Sequence, residues 1–384
     1  MFRIMAHNRS DTEFMAEAHR IAQRLPRRPW PNPPVGAVVV RDGEIVGRGA
    51  HHGPGADHAE IVALREAGEA ARGATLYVTL EPCNHQGRTP PCAPRVIGSG
   101  VARVVVGARD PNPLVAGGGI DLLRGAGIDI ALGVLGRGCL ELIWPYVVTD
   151  AFRRPFVTLK TATTLDGRFA PPGAPEGAPV YFTGEDSLRE TARLRRWHDL
   201  VLVGANTVRC DRPRLDGRRA GADVLCPAAD PLPACADGDL AEAAGWRTGP
   251  HLVFTTGAAD AGRERALREA GAEVVRCRDD GGRIAPADLL AQAAARGYWT
   301  LMLEGGPALA SSFLAAGLVD RWVQFVAPTL AGGGPRWEDR GFAASARDYS
   351  LTRAVRSGDD ACLTWDRTDF AQRRADLCGG KDGD

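Results

Sequence analysis

The sequence predicts an α/β chain of two domains, and three observations predict it. β-rich runs such as VGAVVV, ATLYVTL and VARVVVGA alternate with segments whose apolar residues recur at helical spacing, as when helices are laid on a sheet. At 384 residues the chain exceeds the size at which a single core usually keeps growing. The histidine and cysteine chemistry ends before a new strand series opens at Phe156, which puts a boundary near residue 150 within LIWPYVVTDAFRRPFVTLK. The expected domains are 1–149 and 150–370, followed by a disordered tail, 371–384, ending in CGGKDGD.

The elements follow in order. Ser10 and Glu13 have the spacing of a capping box, and Phe14, Ala18, Ile21, Ala22 and Leu25 give the helix behind it an apolar face. VGAVVVRDGEIVGRGA reads as a hairpin, because Asp42 and Gly43 tolerate the positive φ of a tight turn. Residues 58–71 read as a helix with Ile61, Leu64 and Ala67 inward. ATLYVTLEP is a strand stopped by Pro82, and VARVVVGA is a continuously apolar strand buried on both faces. In the second half LVLVGA, HLVFTT, AEVVRC, WTLMLEGG and RWVQFVAP read as strands, and 185–197, 261–270, 286–296 and 307–316 as helices. Between LVLVGA and HLVFTT the Ala-, Asp-, Gly- and Pro-rich stretch starting at LDGRRAGADVLCP is the least readable.

Composition excludes several classes. Hydrophobic residues at 44% and charged residues at 24% are globular values, which rules out general disorder. Lys+Arg and Asp+Glu are equal at 47 each, leaving no net field to attract a polyanion, so no nucleic-acid partner is expected. Nine cysteines, an odd number without a framework, fit a reduced compartment, and MFRIMAHNRSDTEF lacks the apolar region of a signal peptide. With no run of the roughly 18 apolar residues that a span requires, the expectation is a cytoplasmic protein without a membrane partner.

The chemistry concentrates in HAEIVALREAGEAARGATLYVTLEPCNHQGRTPPC. His58, Cys83 and Cys92 are three ligands suited to zinc, whose catalytic sites keep a fourth position open for water. Glu60, two residues after His58, reaches the same small volume from the first turn of a helix and suits general acid/base work as a carboxylate that is not a ligand. Prolines at both cysteines restrict the backbone and reduce the entropy lost on closing the site. Two other readings stand beside this one. His58 and Glu60 can form a helix cap with two buried thiols nearby, or His85 can complete a closed structural zinc site.

HAE with EPCNHQGRTPPC resembles the cytidine-deaminase superfamily and, within it, the bifunctional deaminase/reductase family of riboflavin biosynthesis, as do the flanks PNPPVGAVVVRDGEIVGRGAHH and GARDPNPLVAGGGIDLLRGAGI. The resemblance implies a cytidine-deaminase-like α/β/α domain in which zinc and Glu60 replace the 2-amino group of a 2,5-diamino-6-ribosylaminopyrimidinone 5′-phosphate by oxygen. Asn32 matches a substrate-loop position, where its amide can read a pyrimidine edge; PNPP also reads as a plain turn.

In the second half LMLEGGPALASSFLAAGLVD is a strand leading through glycines into a helix at Pro307, an arrangement open either to an anion at the helix N-terminus or to an ordinary connection. VTLKTATTLDGR and LVLVGANTVRCDRPRL resemble the reductase domain of the same family, so that the resemblance covers most of 12–330. It implies a dihydrofolate-reductase-like fold that takes hydride from NADPH to reduce a ribosyl to a ribityl chain, and a homo-oligomer. By position it implies that Lys160, Arg195, Leu215, Arg218 and Glu304 contact substrate, and that Ala162, Tyr181, Thr207, Asp211, Gly306, Pro307, Ala308, Leu309, Ala310, Ser311 and Ser312 contact the cofactor.

The chain departs from the family where SxWIT becomes PVYFT, so that Pro179 replaces a hydroxyl donor and Tyr181 an indole. It departs again where RVVLDS is matched to ADVLCP, which puts Pro227 where a serine is expected. These changes motivate one rival reading, an active deaminase carrying a non-catalytic, reductase-like scaffold. A second rival is a base deaminase acting on tRNA or DNA, which the balanced charge opposes.

Overall fold

The fold is described from a computed structural model that covers residues 10–25, 29–112, 118–173, 180–211, 213, 215, 232–236, 252–338, 348–369 and 377. It divides into two compact units that part between Val147 and Val148.

In the first unit α1 (Asp11–Gln23) begins with the capping box predicted for it, Ser10 and Glu13 each bonding the other's backbone N–H. A hairpin follows, β1 (Gly36–Arg41) and β2 (Glu44–Ala50), turned by Asp42 and Gly43 at φ 52° and 82°. Next come α2 (Ala59–Ala67), β3 (Thr75–Leu80), α3 (Cys92–Gly98), β4 (Arg103–Ala108), α4 (Gly118–Gly125), β5 (Asp129–Leu132) and α5 (Gly136–Phe152). The sheet has the order β2-β1-β3-β4-β5; β1 is antiparallel to both its neighbours, and β3, β4 and β5 are parallel. Val104, Val105 and Val106 are all fully buried, as expected for a strand covered on both faces.

Two expectations need amendment here. The helix expected over 58–71 ends at Ala67 and continues as a 3-10 turn, Gly68–Ala71, because Gly68 takes φ 52° and breaks the α path. The stretch read for a boundary is largely α5, which contains Pro145 and is apolar nearly all round, so it shows little of the one-sided periodicity that marks a surface helix.

The second unit contains β6 (Phe156–Thr164), α6 (Glu185–Arg196), β7 (Leu200–Gly204), α7 (Ala205–Asp211), β8 (Leu232–Ala236), β9 (Leu252–Thr255), α8 (Ala261–Glu269), β10 (Glu273–Arg276), α9 (Pro286–Ala295), β11 (Thr300–Leu303), α10 (Pro307–Ala315) and β12 (Arg321–Ala327), then the hairpin β13 (Tyr349–Ser357) and β14 (Asp360–Arg367). The sheet runs β10-β9-β8-β7-β11-β6-β12-β14-β13, parallel except for the last two pairings. Helices 185–197, 261–270, 286–296 and 307–316 therefore stand within a residue of expectation. The strand beside β7 is β8 and not ADVLCP, so the register that put Pro227 on that strand does not hold. Small Ala and Pro residues give both stretches the same weak strand signal. Pro227 itself lies outside the described residues, as do Pro179, Arg218 and, apart from residue 377, the tail 371–384.

Among the described residues no helix is long and apolar enough to cross a membrane.

Candidate active sites

Three local devices build the site in the first unit. His58 is the N-cap residue of α2 but makes no side-chain cap bond, so its imidazole is turned instead toward the sulfurs. Its Nδ1 lies 3.1 Å from Cys92 Sγ and 3.5 Å from Cys83 Sγ. Cys83 follows the end of β3, and Cys92 opens α3 with Pro91 as its cap. The Cys92 amide donates to Cys83 Sγ at 3.4 Å and the Ala93 amide to the Cys83 carbonyl at 3.0 Å, which closes the loop between the two cysteines. Close packing fixes both sides. A Cβ on Gly49 would lie 2.0 Å from the Ala59 carbonyl oxygen, so only glycine lets β2 touch the first turn of α2. A Cβ on Gly119 would lie 1.8 Å from the Pro82 carbonyl oxygen, so α4 abuts the residue before Cys83 with the same intimacy.

The donor set fits zinc. One ligand atom from each of His58, Cys83 and Cys92 lies within 4.8 Å of the other two, and the nitrogen-to-sulfur distances, 3.1 and 3.5 Å, lie at or a few tenths of an ångström below the roughly 3.5 Å expected between such ligands on a tetrahedral ion. His85 is exposed and stands outside this cluster, so the closed four-ligand alternative gains no fourth group from it. Cys83 Sγ accepts a hydrogen bond from the Cys92 thiol and another from His58, which hold its thiol down at about 4. Cys92, hydrogen-bonded to that sulfur and buried, is pushed up. The His58 ring is raised by its bond to Cys83. Glu60 is only 3% exposed, and burial pushes its carboxyl up to about 7.

These groups face a cavity of about 320 Å³ whose lining includes Asn32, His51, His58, Glu60, Cys83, Thr89, Asp110 and Asn112. Asn32, read both as a pyrimidine reader and as a turn residue, lies on this wall. The His51 Nδ1 donates to the Asp57 carbonyl at 3.1 Å, so its Nε2 accepts from Asn32 Nδ2 at 2.8 Å and the amide oxygen is left to accept from a ligand. Burial lowers the His51 pKa, which favours this neutral tautomer.

The sequence reading missed His51, Thr89, Glu81, Asp110 and Asn112. Glu81, 3% exposed, accepts from the amides of Asp110, Gly119 and Ile120 and so anchors the start of α4 beside the cysteine loop. The Asp110 carboxylate in turn accepts from the Asn112 amide at 2.9 Å. GARDPNPLVAGGGIDLLRGAGI was read only for its resemblance, and the arrival of Asp110 and Asn112 at the cavity depends on parallel pairing of β3 with β4.

In the second unit the structure brings Lys160, Arg195 and Glu304 together. Lys160 stands on β6, an inner strand between β11 and β12, with its Nζ 5.9 Å from the Phe325 ring centre. Glu304 directly follows β11 and is 8% exposed; Arg195 Nε and Nη2 donate to its two oxygens at 2.6 and 2.9 Å. The guanidinium fork expected on a phosphate is thus turned onto a carboxylate, because Glu304 is the buried acid within its reach. Burial lowers the Lys160 amine while Glu304 opposes the shift; burial also raises the Glu304 carboxyl, but Arg195 outweighs it and the net shift is down.

The remaining positions divide by exposure. Thr207 and Asp211 lie on α7, and Ala162 is half-buried against Val323, Phe325 and Cys362. Leu215 is 1% exposed, packed with Val201, Val203 and Met302. Tyr181 is 57% exposed. Gly306 is the N-cap of α10 without a side-chain cap, and a Cβ built on it meets nothing within 4 Å. Ala310 and Ser311 are fully buried.

Comparison with known proteins places these two sites in one family. Residues 8–108 match the cytidine and deoxycytidylate deaminase zinc-binding region, and 155–363 match the RibD C-terminal domain. The riboflavin biosynthesis protein RibD of Aquifex aeolicus is 39% identical over 329 residues, covering 84% of this chain and 88% of its own. The solved structure of Acinetobacter baumannii RibD superposes with a TM-score of 0.73 at 32% identity, covering 93% of this chain and 98% of its own. A Thermotoga maritima diaminohydroxyphosphoribosylaminopyrimidine deaminase/5-amino-6-(5-phosphoribosylamino)uracil reductase gives 0.73 at 30% identity, covering 94% and 100%. With a zinc-binding deaminase domain ahead of an NADPH-using reductase domain, the chain belongs to the RibD family of bifunctional enzymes of riboflavin biosynthesis.

Proposed function

We propose that residues 1–149 carry the deaminase and 150–370 the reductase, and that the two sites act in succession on one pyrimidine ribosyl phosphate. The observation that carries the first assignment is the meeting of His58, Cys83 and Cys92 beside the buried Glu60 and the Asn32 amide in one cavity. His58 Nδ1 and the two sulfurs would hold zinc, which when bound supplies a Lewis acid that makes water nucleophilic near neutral pH. Asn32, fixed by His51, orients the pyrimidine through its amide oxygen. Glu60, held out of water with a carboxyl near neutrality, takes one proton from the attacking water and gives it to the ring nitrogen, then takes the second from the oxygen newly bonded to the ring carbon and gives it to the amine as its C–N bond breaks. The 2-amino group of 2,5-diamino-6-ribosylaminopyrimidinone 5′-phosphate leaves as ammonia.

In the second site Glu304 orients Arg195, and the two cations Lys160 and Arg195 meet the substrate's anionic end. NADPH, when bound, supplies hydride to the opened ribosyl carbon, and the amides at the start of α10 bind its phosphate. Tyr181 covers a cofactor face in place of an indole. The balanced charge supports a small-molecule substrate without nucleic acid, six cysteines that form no disulfide among the described residues support a reducing, cytoplasmic setting, and the family suggests a homo-oligomer.

The test pairs metal analysis with Glu60→Gln. One zinc per chain, retained while ammonia release falls at least 100-fold, is the expected result. A metal-free chain that is fully active, or a Glu60→Gln variant of undiminished rate, removes the assignment. Continued NADPH oxidation with the deaminated substrate supports the reductase assignment; silence in that assay from a chain with working deaminase supports the scaffold reading.

A further inference from the structure

We propose that His198 is a positioning residue of the reductase site, a strut between α6 and β6 that sets Arg195 in register with Lys160; the inference rests on the reading of Arg195 as a substrate-binding group. His198 lies just past the end of α6, and is 6% exposed. Its Nδ1 contacts the Leu194 carbonyl at 2.7 Å and its Nε2 contacts Thr158 Oγ1 at 2.8 Å. A carbonyl can only accept, so Nδ1 carries the proton and donates, and Nε2 accepts from the threonine hydroxyl. One neutral tautomer satisfies both bonds.

What this strut joins gives it a function beyond cohesion. Thr158 and Lys160 are two residues apart on β6, so their side chains leave the same face of the sheet. Leu194 immediately precedes Arg195 in the last turn of α6. The imidazole therefore fixes the height of the arginine-bearing turn against the strand that carries the lysine. Downstream, the Asp199 carboxylate accepts from the Trp299 and Thr300 amides at 2.8 and 2.9 Å, and the Glu304 amide donates to the Leu202 carbonyl at 2.9 Å. β7 is thereby locked to β11, whose end presents Glu304. The consequence is a binding group whose geometry is set by a residue that does not touch substrate.

The test separates the two ends of the strut in the full chain. Asparagine places its amide nitrogen where Nδ1 was, so His198→Asn keeps the bond to Leu194 and loses Thr158. Thr158→Val loses the same bond from the other side, and Thr158→Ser restores it. NADPH oxidation is followed with the deaminated pyrimidine ribosyl phosphate, and ammonia release by the same preparations reports on the other site. Both breaking variants should raise the KM for the pyrimidine about three- to tenfold with kcat and the KM for NADPH little changed, while Thr158→Ser stays near wild type. The double variant should be no worse than the weaker single one, since both remove one bond. A lowered melting temperature with unchanged KM in both variants makes the strut merely structural and overturns the proposal, as does full additivity of the two. Arg195→Gln is the control: if it raises that KM and the strut variants do not, the positioning role alone falls; if it also leaves KM unchanged, the reading of Arg195 falls and takes the strut's role with it.

Discussion

Thr89 Oγ1 lies 3.3 Å from His58 Nε2, on the far side of the ring from the two sulfurs. When Nδ1 holds zinc beside Cys83 and Cys92, Nε2 would be the nitrogen that keeps its proton, and the threonine oxygen is there to accept it. Such a partner fixes the ring's orientation and makes the ligating nitrogen more basic. Thr89→Val should therefore weaken zinc binding about 10- to 100-fold, and Thr89→Ser should restore most of it. Competition with a chromophoric chelator measures this without any activity assay. Equal zinc retention by the valine variant would show that the loop, and not its hydroxyl, holds the ring.

A second expectation concerns acid. The Asp11 carboxylate accepts from Arg103 Nη1 and Nη2, both at 2.9 Å, and from the Tyr77 hydroxyl at 2.8 Å, joining the first turn of α1 to β3 and β4. The hydrogen bond from Arg103 is the main reason its pKa is lowered, with Tyr77 adding to it against some burial. A folded-state pKa below the unfolded value means stability that is present above the unfolded value, near 3.8, and is lost as pH falls through the folded one. Asp11 and Arg103 side chains are 34% and 31% exposed, so solvent screening limits Asp11→Asn to about 1 kcal/mol at pH 7. Calorimetry should show that gap closing as pH falls below the folded pKa, where wild type has lost the same charge. A gap that stays constant with pH would assign the loss to packing.

Legibility followed the range of the interactions. HAE and EPC…PPC were readable because each ligand sits at an element boundary marked by its own neighbours, Pro82 after β3 and Pro91 before α3. The capping box at Ser10 and the turn at Asp42-Gly43 were readable for the same local reason. His51, Glu81 and Asp110 were not, since each acts only after β1, β3 and β4 have paired and brought their ends together. α5 escaped because a helix that is apolar nearly all round has no periodic face. Arg195 was found, but its carboxylate partner 109 residues away was not a matter of pattern.

The glycine at position 49 gives a test of how the deaminase site is held. An alanine there would put its Cβ 2.0 Å from the Ala59 carbonyl oxygen, a backbone atom that cannot swing aside. α2 must then shift, and its first residues carry His58 and Glu60. Overpacking of this kind costs about 1–3 kcal/mol, and a displacement on the order of 1 Å at a reacting group can cost about 100-fold in rate. Gly49→Ala should therefore lose zinc and ammonia release together while NADPH oxidation with supplied deaminated substrate persists. Parallel loss of both activities would mean general unfolding instead of a displaced helix.

Glu304 offers the corresponding test of the second site. Its carboxylate is 8% exposed and stands between two cations, bonded to Arg195 and opposing the effect of burial on Lys160. Glu304→Gln keeps the shape and removes the charge, leaving a guanidinium and an amine to repel each other in a half-buried space. Breaking a buried pair from one side costs about 3–5 kcal/mol, and the 21% exposure of Arg195 brings the expectation to about 2–4 kcal/mol. The lysine amine, which Glu304 helps to keep protonated, should also lose its charge at a lower pH, because the partner that raised its pKa is gone. The pH profile of NADPH oxidation should then lose its alkaline side earlier in Glu304→Gln than in wild type, on top of at least a tenfold lower kcat/KM, with ammonia release intact. A profile of unchanged shape at a reduced rate would confine Glu304 to stability; an unchanged rate would remove the Lys160, Arg195 and Glu304 group from the reductase site altogether.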